Sequence, residues 1–429
     1  MLAILFKLVI ILVILGHKFK DINTIMTAKY TLKVPLPDGT YREKVVIDEN
    51  RNFFVDEIRV NSASNDINQA TMTPLSPNFI DLNIRGQAHG YALGGGAGGP
   101  NPTAQQYSHE PNLISIDKNL KFPFAFSNVT FTDVGNLTVA RHEMMSAQST
   151  SHGYTAGGLA RAPSTITISN IIDKFPFSAG GNSTDVGDLT VARSNCSAGQ
   201  TSNTHGYAAA GGTGGSFTNP EFGPGCTRTT SNVIDKYPFS SDANATDVGD
   251  VAVAVVGACG ISSETHGYYY GGKTSTIHTT VDDFGRFPFA SDGNATNITD
   301  LGGQYGGYHS VGMQSATHGF INGGLRNPPN SYNNEGNYVT GATYSFPFAS
   351  DTDTATSLHP TPGGGISPYN AGRGSSSSDD HAYVFGGYLN NTIRRFPWAN
   401  AAVTEGAASP DFTIWNNPYQ KGIISGTFR

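Results

Sequence analysis

The feature that most constrains this chain is a repeat. The stretch "HGYALGGG" at His89 returns as "HGYTAGG" at His152, "HGYAAAGG" at His205, "HGYYYGG" at His266, "HGFINGG" at His318 and "HAYVFGG" at His381. An aromatic-Pro-aromatic motif keeps step with it at Phe122, Phe175, Tyr237, Phe287, Phe346 and Phe396. A third, "FTDVGNLTVAR" from Phe131 to Arg141, recurs from Ser183 to Arg193 and from Ala245 to Val255, then fades. The histidines recur every 52 to 63 residues. A repeat of that length holds about four short strands and cannot bury its apolar face alone, so neighbouring copies must stack.

The spacings are informative. From each aromatic-Pro motif to the next histidine the distance is 30, 30, 29, 31 and 35 residues, whereas from each histidine to its following aromatic it runs 33, 23, 32, 21, 28 and 15. Length therefore varies just after the double glycine, as in loops on a fixed frame. Insertions at Gly96 to Asn112, Thr213 to Thr230 and Leu325 to Ala342 fall in the first, third and fifth repeats.

Composition agrees. Gly 52, Pro 23 and only 14% charged residues favour short strands and turns over amphipathic helices, and 19 Tyr and 24 Phe can fill a core. We expect an all-β protein. A net charge of -7 without a basic run gives no footprint for nucleic acid. Three cysteines, Cys196, Cys226 and Cys259, have no CxxC spacing, so they define neither a disulfide framework nor a zinc site.

The order of double glycine, aromatic after Ile-Asp, turn, Ala-Arg and next aromatic-glycine strand is similar to the kelch repeat across roughly residues 80 to 410. That resemblance implies a β-propeller, here with six blades and a short N-terminal β-rich extension. The tryptophan expected in each kelch repeat is missing from most copies, and the arginine is clear only at Arg141 and Arg193. The blade wording also resembles that of uncharacterised propeller proteins from marine phages. The expected organisation is an apolar leader or upstream segment over 1–25, a β-hairpin element over 26–75, the propeller over 76–415 and a C-terminal tail over 416–429. The run Leu2 to Leu15 reads as an anchor, a signal sequence or a segment upstream of a start at Met26, so a membrane enters only if it is an anchor.

His89, His152, His205, His266, His318 and His381 hold one position in every repeat and so read as scaffold, as do Arg141 and Arg193. The glycine pairs lead into loops rather than helices, which argues against a phosphate cradle. Asp185 and Asp247 in "DVGD" and the Asn-x-Ser/Thr asparagines at 128, 182, 244, 294 and 297 read as turn residues rather than calcium ligands or glycan acceptors. No cofactor, metal or catalytic residue is assigned.

Binding is placed on the insertions, whose Tyr, Asn and Gln suit a glycan or a surface protein. The candidates are Gln105, Gln106, Tyr107, His109, Phe217, Asn219, Phe222, Arg228, Arg326, Asn330, Tyr332, Asn333 and Tyr338. The leading expectation is a non-enzymatic virion or cell-surface recognition protein, with other virion proteins as further partners. The alternatives are a galactose-oxidase-like propeller enzyme and an intracellular kelch adaptor. Asn78 to Gln87 is expected to supply the strand that completes the last blade or begins the first, sealing the ring.

Overall fold

The computed structural model describes residues 30–35, 41–47, 53–54, 58–60, 89–97, 114–124, 131–162, 165–177, 180–194, 199–216, 227–274, 281–300, 307, 309–326, 338–339, 343–350, 356–357, 373–378, 381–386, 393–398, 405–407, 422–423 and 427–428. The chain is all-β: among these residues the regular elements are strands, apart from one turn of 3-10 helix at Phe348–Ser350. It divides into two units, Met1–Phe79 and Ile80–Arg429. In the first, Tyr30–Pro35 pairs antiparallel with Tyr41–Ile47, which also pairs with Phe53–Phe54 and Ile58–Val60.

The second unit contains one sheet per repeat. The second sheet is typical, with strands a to d at Met145–Gln148, His152–Ala156, Ile171–Pro176 and Thr184–Asp188, paired in that order. The third runs Gln200–Thr201, His205–Ser216, Thr227–Pro238 and Thr246–Asp250, and the fourth Cys259–Ser262, His266–Tyr270, Asp283–Pro288 and Thr296–Asp300. The fifth runs Val311–Gln314, His318–Asn322, Thr343–Pro347 and Thr356–Ser357, and the sixth Arg373–Ser377, His381–Gly386, Ile393–Pro397 and Glu405–Ala407.

The first sheet is assembled differently. Its strands b, c and d are His89–Ala97, Ile114–Pro123 and Thr132–Asn136, while Gly422–Ile423 and Thr427–Phe428 pair with the free edge of strand b. Residues within the expected C-terminal tail thus stand where Asn78 to Gln87 was expected, and the latter lie outside the described residues. Thr427–Phe428 approaches strand a of both the second and the sixth sheets to within 8 Å between Cα atoms.

The core sits in the seams between sheets. One buried cluster joins the first and second sheets through Tyr91, Leu93, Phe175 and Phe177, and corresponding clusters join each later pair. A sixth joins Tyr383 and Ile393 of the last sheet to Ala92, Leu120 and Phe122 of the first. In every seam the aromatic of the His-Gly-aromatic motif packs on the Phe-Pro-Phe motif of the next sheet. Tyr154 stacks on Phe239 at 4.7 Å, Tyr207 on Phe289 at 4.8 Å and Tyr383 on Phe124 at 4.7 Å between centroids. Each such pair contributes about 0.5–1.5 kcal/mol beyond its buried area. The motif's glycine is demanded by the same packing: a Cβ on Gly153 would lie 2.2 Å from the Phe175 ring across the strand pair.

The outer edges are tied as well. The loop before strand d of one sheet bonds the outer strand of the sheet before it: Asn182, Asn244 and Asn294 each accept through Oδ1, at 3.0 Å, from the backbone N–H of Asn136, Asp188 and Asp250. That use of the asparagine explains its recurrence without a glycan. An otherwise open strand edge is covered in each case, which limits edge-to-edge association.

Candidate interaction face

In an antiparallel meander the b-to-c and d-to-a connections emerge at one end of the sheet and the a-to-b and c-to-d connections at the other. The two ends are built very differently. At the a-to-b end the turns of the second to sixth sheets are each closed by a serine three residues before the histidine. The N–H of Ser149 donates to the His152 carbonyl at 2.8 Å, and the His152 N–H donates back to Ser149 Oγ at 3.0 Å. Ser202, Ser263, Ser315 and Ser378 repeat this with His205, His266, His318 and His381. The Ser-x-x-His spacing is visible in the sequence, just ahead of the histidine motif. Each repeat histidine, His89 included, is half-buried at this end.

The opposite end carries two-stranded arms, to the first of which Gly422–Ile423 adds a third strand along Gly96 and Ala97. In the first sheet pairing continues past the glycine pair through Gly96 with Ser115 and Ala97 with Ile114. In the third, Gly212 to Ser216 pairs with Thr227 to Thr230. In the fifth, Leu325–Arg326 pairs with Tyr338–Val339. The second sheet, which has no insertion by spacing, also has an arm, Leu159–Ala162 on Thr165–Ile168. Of the candidate binding residues, Arg228 lies in the third arm opposite Gly215, and Arg326 and Tyr338 are direct cross-strand partners in the fifth. Gln105, Gln106, Tyr107, His109, Phe217, Asn219, Phe222, Asn330, Tyr332 and Asn333 lie outside the described residues.

Arg141 and Arg193 brace the arm bases. Arg193 is fully buried and donates from Nη2 to Asp235 at 2.6 Å and from Nη1 to the carbonyls of Ala210 and Val233, which flank the third arm. Asp235 also accepts from the N–H and hydroxyl of Thr190, at 3.1 and 2.6 Å. Arg141, Asp173 and Thr138 form the same cluster one seam earlier. Burial pushes the Arg141 pKa down, and Asp173 opposes that shift. A charged pair without solvent is costly unless its remaining hydrogen-bonding groups are met; here the backbone carbonyls meet Nη1 of each arginine, while both Nε atoms are left without a partner.

The third seam replaces the whole cluster. Val255 stands for the arginine, Ala252 for the threonine and Gly285 for the aspartate, and Tyr269 fills the space from the opposite strand. A Cβ on Gly285 would lie 2.4 Å from the Tyr269 ring, and the Tyr269 hydroxyl takes over the acceptor role by receiving the Ala252 N–H at 3.1 Å. Four positions have changed together.

The first two arms are also locked to each other. Ser115 Oγ lies 2.8 Å from His142 Nδ1, donates to the Leu159 carbonyl and accepts the Arg161 N–H. The serine has a single proton, so His142 Nδ1 donates when that proton goes to Leu159 and accepts when it is turned to the ring. At the base of the first, second and fifth sheets' arms the glycine pair has left-handed φ, 65° at Gly157 and 104° at Gly158, which bends strand b into the connection; in the third the two positions are Ala210 at 62° and Gly211 at 113°.

Among the described residues no cluster of three His, Cys, Asp or Glu side chains is placed to hold a metal ion, and no helix is long and apolar enough to cross a membrane. Asp185 and Asp247 each accept the N–H of the glycine two residues on, an Asx-type turn. No protein-family model and no curated protein matches the chain.

Proposed function

We propose that the protein is a non-enzymatic recognition module, a divergent kelch-like propeller of six blades that presents its arms to a glycan or a surface protein. The propeller reading is supported by the packing of Tyr383 on Phe122 and Phe124, which repeats between the last and first sheets the contact made between every other pair. The observation that carries the recognition reading is the asymmetry of the two ends. One end is a set of near-identical serine-closed turns, while the other is prolonged into arms of unequal length and composition braced from below by Arg141 and Arg193. Scaffold that is uniform at one end and elaborated at the other is how binding loops are mounted on rigid frames.

On this reading the protein sits on a virion or a cell surface, in keeping with the wording its repeats share with marine phage propellers. The test is binding by the full chain to a glycan array and to whole cells, beside a variant whose first, third and fifth b-to-c connections are cut to the length of the fourth. Binding that disappears on shortening, with melting temperature kept, supports recognition by the arms. A folded full chain that binds neither overturns it in favour of a purely structural role.

A further inference from the structure

We propose that acidification loosens the seams between the second and third and between the third and fourth sheets, because protonating His152 and His205 sets an imidazolium beside the lysine that ties each pair of sheets together. His152 closes its turn half-buried, with Nδ1 2.8 Å from Ser151 Oγ. Lys174 stands on strand c directly opposite Tyr154, two residues along from the histidine, and its ammonium is bonded to Asp242 of the third sheet. His205 repeats the arrangement, with Nδ1 2.8 Å from Thr204 Oγ1 and Lys236 opposite Tyr207. Lys236 reaches Asp292 of the fourth sheet at 2.7 Å.

The groups facing each ring are few. The turn supplies hydroxyls, from Ser149 and Ser151 or from Ser202 and Thr204, with the uncharged Asn203 amide in the second turn. Strand b supplies Tyr154 or Tyr207, strand c the lysine, and the next sheet the aspartate. Burial and then the lysine lower both histidine pKa values, while the aspartate opposes them. Both rings are therefore neutral in the native state at neutral pH. The unfolded chain takes up its protons near the ordinary histidine value of about 6.5, so stability is complete above that value and falls as pH drops through it toward the lower native value.

The lysine–aspartate contact is the ionic tie between the sheets on this end, beside the bonds from Gln148 N–H to Thr201 Oγ1 and from Thr201 N–H to Ser262 Oγ, and a protonated ring repels the lysine while competing with it for the aspartate. The same lysine thus opposes protonation in the folded state and is displaced by it. In the first sheet Lys121 lies near His89, but Gly180 occupies the position of Asp242, so that seam has no corresponding tie.

The test is urea unfolding of the full chain between about pH 8 and about pH 5, a window above carboxylate titration. The midpoint of the wild type should fall with acidification, and the fall should be shallower in the His152→Gln/His205→Gln variant. Asp242→Asn/Asp292→Asn should make it steeper, since removing the aspartates deepens the histidine–lysine conflict. An unchanged fall in the histidine variant, or a shallower one in the asparagine variant, overturns the proposal. So does NMR titration of wild-type His152 and His205 with midpoints at or above the ordinary value, a measurement that needs no variant to fold.

Discussion

Asp235→Gly should be among the most damaging single substitutions in this chain, and the third seam says how to repair it. The carboxylate receives three hydrogen bonds, from Arg193 Nη2, Thr190 N–H and Thr190 Oγ1, and its side chain and that of Arg193 are completely buried. Its removal leaves a guanidinium with no counter-charge and no water, a loss of about 3–5 kcal/mol. Adding Arg193→Val removes the stranded charge but leaves the Ala210 and Val233 carbonyls without their donor, at about 1–3 kcal/mol for each buried polar group. Ala208 is the residue opposite Asp235, as Tyr269 is opposite Gly285. The triple variant Arg193→Val/Asp235→Gly/Ala208→Tyr therefore copies three of the four changes of the third seam into the second, with Thr190 kept because its N–H can donate to the new tyrosine hydroxyl as that of Ala252 does to Tyr269 and its exposed hydroxyl can turn to water. Urea unfolding should place it above the single Asp235→Gly variant by more than about 1 kcal/mol, outside ordinary extrapolation error. A single substitution costing less than about 1 kcal/mol, or a triple variant no more stable than the single one, would refute the idea that these positions form one interchangeable unit.

Two further outcomes are expected. Tyr237 is the one tyrosine among six equivalent aromatics, and its buried hydroxyl has no hydrogen-bond partner; burial also drives its pKa well above the ordinary range. Tyr237→Phe should stabilise the protein by about 1 kcal/mol in thermal or urea unfolding, and a loss of stability would mean the hydroxyl is satisfied. Removing residues 422 to 429 deletes both segments paired with strand b of the first sheet. With four residues in register, the cost should be about 2–5 kcal/mol, read as a lower melting temperature, and an unchanged melt would argue against any closing role for these segments.

The sequence displays its architecture because a repeat writes the same local solution several times. All-β character and four strands per repeat follow from the turn-rich period, and the arm bases were marked by length variation after the glycine pair. What could not be read were the partnerships across seams. Arg193 and Asp235 are 42 residues apart, and nothing local links them until the sheets are stacked. The substitution of Val255, Gly285 and Tyr269 looks like motif decay along the chain, whereas in space it is one compensated exchange. Gly422–Ile423 and Thr427–Phe428 carry no repeat motif and are only two residues each, too short to leave a periodic signal. The second arm, Leu159 to Ile168, fits into a short connection because its hairpin needs few residues, so length gave no warning of it. Among the candidate binding residues, only the cross-strand placement of Arg326 with Tyr338 and of Arg228 with Gly215 is described.

The buried clusters straddle neighbouring sheets, and this gives the chain a grammar of order. A sheet carries one half of a match at its front and one half of another at its back: the third sheet presents Asp235 to the arginine before it, yet offers Val255 to the glycine and tyrosine after it. Duplicating the third sheet would set Val255 of one copy against Asp235 of the next, and placing the fourth sheet directly after the second would set Arg193 against Gly285 and Tyr269, whereas the second sheet could follow itself with Arg193 on Asp173. At these first three joints the order of the sheets is written into the faces they turn to one another, although in outline the sheets are alike.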